Sequence, residues 1–110
     1  MNMDEKKNIP EFVLKKMDDV MRLCHQTNVA RIGLFGSALR EDFDPEKSDL
    51  DFVVEFLEPD ALGISDRYLT LAESLETIFE KRVDLITARS IRNPVFSAEV
   101  TTSLCPLYAA

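Results

Sequence analysis

The segment Asp49-Leu50-Asp51-Phe52-Val53-Val54-Glu55-Phe56 constrains this chain more than any other. Its β-branched and aromatic residues favour a strand, and alternate strand residues point to the same face. Leu50, Phe52, Val54 and Phe56 therefore share one face and can enter a core. Asp49 and Asp51 share the other, roughly 6.6 Å apart at the backbone given the rise per residue of a strand. Two carboxylates at that spacing repel by about 2.6 kcal/mol at an effective dielectric of about 20. A strand that needed only solubility would carry Thr or Lys there at lower cost. A divalent cation converts the repulsion into coordination, and carboxylate oxygens are ligands that magnesium accepts. The plainer reading is an exposed acidic strand start.

The stretch just upstream weighs against the plainer reading. Leu34-Phe35-Gly36-Ser37 reads as the end of a strand turning into a short helix. Such a turn exposes backbone N–H groups and a hydroxyl, a cradle for an anion. Alone, Gly36 and Ser37 are equally a turn glycine and a helix cap. Beside paired carboxylates they complete what a nucleoside triphosphate requires, an anion cradle next to metal ligands.

Charge narrows the partners. The 110-residue chain has a formal net charge of −7, which argues against a polymeric nucleic acid, whose binding wants a basic patch. A protein or small-molecule acceptor fits better. The 45% hydrophobic and 30% charged residues are ordinary globular usage for one domain, residues 1–110. The two cysteines, Cys24 and Cys105, form no C-x-x-C pair, and the single histidine, His25, has no zinc-like spacing. The polar start Met1-Asn2-Met3-Asp4 is unlike a signal peptide, and no run is long enough to span a membrane. A cytoplasmic setting is expected, with oligomeric state left open.

Along the chain, residues 1–8 read as a frayed end. Pro10 opens an amphipathic helix to about Gln26, with Val13, Met17, Val20, Met21 and Cys24 on its apolar stripe. Val29–Phe35 is a first strand, with Ile32 and Leu34 on one face and Arg31, Gly33 and Phe35 on the other; something can approach the sheet closely at Gly33. Residues 41–47 form an acidic loop. Asp49–Phe56 is the second strand. Ile64, Tyr68, Leu71, Ala72, Leu75, Ile78 and Phe79 then mark the clearest helix. Val83-Asp84-Leu85-Ile86 is a third strand, parallel to the second because the helix between them makes a right-handed crossover. Asp84 can then lie beside Asp49 and Asp51, or pair with Arg82 or Arg89. One more helix is expected between Ser90 and Ser103, then an extended end from Leu104 to Tyr108.

Gly36-Ser37, eleven residues, Asp49-x-Asp51, and Val83-Asp84-Leu85 further on resemble the minimal nucleotidyltransferases of the DNA polymerase beta superfamily. The resemblance runs from about Arg31 to Tyr108. It implies an α/β (α+β) nucleotidyltransferase fold, a small mixed β-sheet of three to four strands packed by about four helices. It also implies the site. Asp49, Asp51 and Asp84 would be the catalytic, metal-holding carboxylates for two Mg²⁺ ions. Gly36, Ser37 and Arg40 would hold the triphosphate of ATP or another NTP. One departure stands out: the family often follows its Gly-Ser with Ala-Arg-Gly, and this chain keeps Arg40 but has Glu41 for the glycine. Members of this size resemble antitoxins paired with a small helical HEPN-type toxin, in some cases adenylylating it. A module that neutralises its partner by masking it, or senses a nucleotide, is the alternative.

Overall fold

The computed structural model describes residues 9–35, 49–91 and 104–110. Gly36, Ser37, Arg40, Glu41 and the helix expected between Ser90 and Ser103 fall outside the described residues, apart from the flanking Ser90 and Ile91. The elements run α1 (Glu11–Leu14), α2 (Met17–Gln26), β1 (Val29–Phe35), β2 (Leu50–Phe56), α3 (Ile64–Phe79), β3 (Val83–Thr87), a 3₁₀ turn (Ala88–Ser90) and β4 (Cys105–Ala109). The strands form one mixed sheet in the order β3-β2-β1-β4. β1 pairs antiparallel with β2 and with β4, and β2 pairs parallel with β3. The expected mixed α+β fold is therefore present, with four strands.

Alternation on β2 divides the molecule. Leu50, Phe52, Val54 and Phe56 are all buried. They join Val13, Val20, Leu23, Ile32, Leu34, Leu71, Leu75 and Phe79 in the core between sheet and helices. Phe79 stacks near Phe52 with ring centroids 6.0 Å apart, and Phe12 meets Phe79 edge-on at 6.2 Å. The opposite face of the sheet carries a smaller cluster, Phe35 and Val53 packed by Ile86, Ala88, Ile91 and Leu104.

Three features differ from the sequence expectation or refine it. The first helix is two, because the Lys16 N–H donates to Val13 C=O at 2.9 Å, a bond one residue shorter than α-helical spacing. That tightens the turn at Lys15–Lys16 and restarts the helix at Met17. No Gly or Pro marks the break, so the apolar period runs through it. The second strand starts at Leu50, with Asp49 just before it. The extended end becomes β4, whose partner is β1. The open space at Gly33 is used there: a Cβ on Gly33 would lie 2.6 Å from Leu104 Cδ1 and 3.1 Å from the Cys105 carbonyl oxygen.

Arg67, on the first turn of α3, ties two turns together. It donates to the carbonyls of Thr27 (3.0 Å), Asn28 (2.8 Å), Leu57 (2.6 Å) and Glu58 (3.3 Å). Its guanidinium also lies 5.0 Å from the centroid of the Phe56 ring. Asn28 and Glu58 both have positive φ, 54° and 47°, so these turns aim carbonyls at one point instead of continuing a strand. The fork of five donors suits such a convergence. Arg67→Met keeps most of the apolar stem and leaves those carbonyls without their donor. It is expected to lower stability by about 1.5–3 kcal/mol, the range for hydrogen bonds to charged groups, measured by urea denaturation with an unchanged slope.

Candidate active site

The site follows from the register of β2 on β3. Asp51 pairs with Asp84, flanked by Leu50 with Val83 and Phe52 with Leu85. In parallel strands, residues opposite one another present their side chains to the same face. Phe52 and Leu85 point into the helix-backed core, so Asp51 and Asp84 both stand on the other face. Asp49, half-buried, precedes β2 by one residue. Asp51 is half-buried and Asp84 exposed. On its other side Asp51 pairs with Phe35, the last described residue before Gly36.

Electrostatics mark Asp51 off from the other acids. Burial pushes the Asp51 carboxyl up, followed by the charge of Asp84, a hydrogen bond with the Asp84 side chain and the charge of Asp49, to about 6 from 3.8. Among the described residues, the ion pairs are Lys15–Glu11, Arg22–Asp19, Arg31–Glu55 and Arg89–Asp60. None involves the three aspartates. Arg89, one of the two arginines that could have neutralised Asp84, is held by Asp60 at 2.8 Å. Three carboxylates without a described cation are a hard-oxygen donor set, the kind Mg²⁺ takes. Asp51 and Asp84 supply the close pair. Among the described residues no three acidic, His or Cys side chains are already gathered into a ligand cluster, so Asp49 stands in range of Asp51 without closing such a cluster.

The residues that the sequence singles out for the site thus fall into three groups. Asp51 and Asp84 are brought together, Asp49 lies beside them, and Gly36, Ser37 and Arg40 fall outside the described residues. His25 takes no part. It is exposed on the last turn of α2 and packs edge-on against Tyr108, with centroids 5.5 Å apart. Both cysteines are buried and unbridged. Burial raises the Cys24 thiol to about 11, which keeps it protonated and inert near neutral pH. Sequence reasoning missed a cavity of about 1060 Å³ at the far end of the same strands, where Phe56, Ile64, Tyr68 and Arg89 are among its lining. Asp49, Asp51 and Asp84 do not border it. The acidic chemistry and the large cavity are therefore separate features.

A helix-backed mixed sheet with paired carboxylates at the start of two parallel strands defines a phosphoryl- or nucleotidyl-transfer class of site. Comparison with known proteins agrees. The profile of the family described as the nucleotidyltransferase domain matches residues 15–105. A Methanocaldococcus jannaschii protein, provisionally named a protein adenylyltransferase, is 38% identical over 92 residues, covering 84% of this chain and 88% of its own. A solved structure described as a candidate minimal nucleotidyltransferase superposes with a TM-score of 0.66 at 30% identity, covering 86% of this chain and 91% of that one. A further solved structure contains a tri-AMPylated Shewanella oneidensis HEPN toxin in complex with its MNT antitoxin. It superposes with a TM-score of 0.60 at 22% identity, covering 88% of this chain and 72% of that one. The chain belongs to the nucleotidyltransferase domain family, as a minimal nucleotidyltransferase.

The raised Asp51 carboxyl has a measurable consequence for the metal-free protein. The folded state holds its proton more tightly than the unfolded chain does. Stability therefore falls as pH rises from about 4 through about 6 and levels off above that range. Asp51→Asn removes this dependence. In EDTA, its melting temperature is expected to exceed that of the parent at pH 8, with the gain shrinking toward zero at pH 4.

Proposed function

We propose that this protein is a Mg²⁺-dependent adenylyltransferase that transfers AMP from ATP to a hydroxyl of a protein partner, serving as the antitoxin to a HEPN-type toxin. The observation that carries the reading is the in-register Asp51–Asp84 pair on the sheet face away from the helices. The names of the relatives support the acceptor: one is provisionally a protein adenylyltransferase, and the AMPylated toxin is seen with an antitoxin of this fold.

The chemistry is an in-line displacement. The acceptor hydroxyl oxygen forms a bond to the α-phosphorus, and the bond from that phosphorus to the β-bridging oxygen breaks. Pyrophosphate leaves with the electron pair, and the hydroxyl proton passes to a carboxylate of the site. On this reading Asp84 takes that proton, supported by its exposure and its register beside Asp51. Asp49, Asp51 and Asp84 would hold Mg²⁺, which supplies positive charge to the attacking and leaving oxygens. Gly36, Ser37 and Arg40 take the triphosphate on the strength of the sequence motif. The half-burial of Asp51 strengthens every charge interaction at the pair relative to open water.

Label from α-labelled ATP is expected on the copurifying partner protein, with pyrophosphate released one for one. Asp51→Asn and Asp84→Asn are each expected to lower the transfer about 100-fold or more while leaving the partner bound. Retained neutralisation of the partner by these variants, without label transfer, would mean that the protein acts by masking instead.

A further inference from the structure

β3 stands at one edge of the described sheet, with β2 on its inner side. Along a strand the peptide groups of alternate residues point to opposite sides. Leu50 N–H donates to the Arg82 carbonyl at 3.0 Å, so Arg82, Asp84 and Ile86 turn their peptide groups toward β2. Val83, Leu85 and Thr87 turn theirs outward. Such an edge offers donors and acceptors to water or to another strand. Here three of the outward groups are taken by side chains. The Val83 N–H donates to a Glu76 carboxylate oxygen at 3.1 Å. The Tyr68 hydroxyl donates to the Leu85 carbonyl. The Ser90 hydroxyl donates to the Thr87 carbonyl at 2.8 Å.

Two of these bonds come from α3, and they fall on either side of one residue, Asp84. The helix runs against the strand, so its later residue Glu76 meets the start of β3 and its earlier residue Tyr68 meets Leu85. Glu76 is exposed and Tyr68 half-buried. Among the described residues no ion pair engages Glu76, so its described bond is the one to the strand. Asp84 itself sits in the ladder with β2. Its two neighbours are thus fixed to the helix while it is fixed to the sheet. Without those bonds an exposed residue on an edge strand is held along one side only, and such backbone opens readily. Position matters at this residue. A carboxylate that shares a cation with Asp51 must keep its oxygens at ligand distance, and Mg²⁺ demands about 2.0–2.1 Å in near-ideal geometry.

We propose that Glu76 and Tyr68 are positioning residues for the acidic site: they bracket Asp84 from the outer edge of β3 and hold its carboxylate in register with Asp51 for a divalent cation. The proposal rests on the reading of Asp51 and Asp84 as metal-holding carboxylates. Groups that orient a metal ligand without touching the metal set its affinity, and their loss costs about 10–100-fold. A role confined to closing the sheet edge would need the two bonds but not their placement on either side of Asp84, and it would leave cation affinity unmoved.

The probe is Mn²⁺, which shares the preference of Mg²⁺ for carboxylate oxygen, titrated into the full chain and read by electron paramagnetic resonance. Tyr68→Phe combined with Glu76→Ala is expected to weaken Mn²⁺ binding about tenfold. Amide hydrogen exchange at Asp84 is expected to quicken in that variant, with the core amides of Leu71 and Leu75 as in the parent. Glu76→Gln removes the charge but keeps an acceptor for the Val83 N–H, so it is expected to bind Mn²⁺ as the parent does. Weakening by Glu76→Gln equal to that by Glu76→Ala overturns the proposal, because charge alone then explains it. Arg67→Met loosens the far end of β2 and is expected to leave Mn²⁺ affinity unchanged. A loss there as large as in the double variant overturns the proposal, since any destabilisation would then serve. Unchanged exchange at Asp84 in the double variant overturns it too. Asp84→Asn, in the same titration, separates this proposal from the reading beneath it. If Asp84→Asn weakens binding and the double variant does not, the bracket fails and the metal site stands. If Asp84→Asn binds as the parent does, or the parent binds no Mn²⁺, the metal reading fails and the bracket with it.

Discussion

The parallel hydrogen bonding of β2 to β3 is the constraint on which the rest of the structure depends. It starts where Leu50 N–H meets the Arg82 carbonyl at 3.0 Å and sets Asp51 opposite Asp84 and Phe52 opposite Leu85. One ladder therefore decides two things at once. It completes the core, since Phe52 and Leu85 fall on the helix side with Leu71, Leu75 and Phe79. It also assembles the acidic pair on the reverse side. The sixteen residues of α3, about 24 Å at the helical rise, return the chain along the sheet so that β3 can run in the same direction as β2. Tyr68 reinforces this by donating from its hydroxyl to the Leu85 carbonyl, which ties the crossover helix to the strand that carries Asp84.

The two faces of the sheet are built for different ends. The helix side is closed by large apolar residues with almost no exposure. The other side has Phe35 and Val53 under Leu104 and Ile86, and next to this thin apolar layer stands the Asp51–Asp84 pair. Like charges held half out of water oppose folding in the absence of a cation. Sites that act on phosphates commonly hold such an arrangement, stable enough because the opposite face supplies the burial. The Arg67 clamp belongs to the same economy of parts: it rigidifies the turns at the far end of β1 and β2, away from the carboxylates, and leaves the acidic end to its chemistry.

How much of this the sequence showed depends on the range of the signal. Period-two alternation placed Asp51 and Phe52 on opposite faces correctly, and the helical stripe located α3 to the residue at both ends. Val29–Phe35 was equally plain. Asp84 was different: a strand of five residues between Arg82 and Ala88 does not state its partner or register, and only the family resemblance put it beside Asp51. The break at Lys15–Lys16 was invisible because it depends on one shortened hydrogen bond in a stretch of ordinary helix formers. The end from Leu104 to Tyr108 read as extended but without a partner; Pro106 in it is tolerated on an edge strand, and Gly33 opposite it was the clue. Arg67 carries no signal in the sequence. Its role comes from carbonyls at Thr27, Asn28, Leu57 and Glu58, which no local pattern joins.

The turn between α3 and β3 shows what this register means for descent with modification. It is three residues long, Glu80 to Arg82, and Glu80 closes the helix in the left-handed region at φ 54°. In most surface turns, losing or gaining a residue is absorbed by the loop. Here a single-residue insertion that propagated into β3 would reverse its faces, turning Asp84 toward the core and Leu85 toward solvent. The length of this turn therefore governs the acidic pair as well as the core. Relatives that keep the acidic pair are expected to keep the number of residues in this turn, and at position 80 a residue that accepts the left-handed conformation.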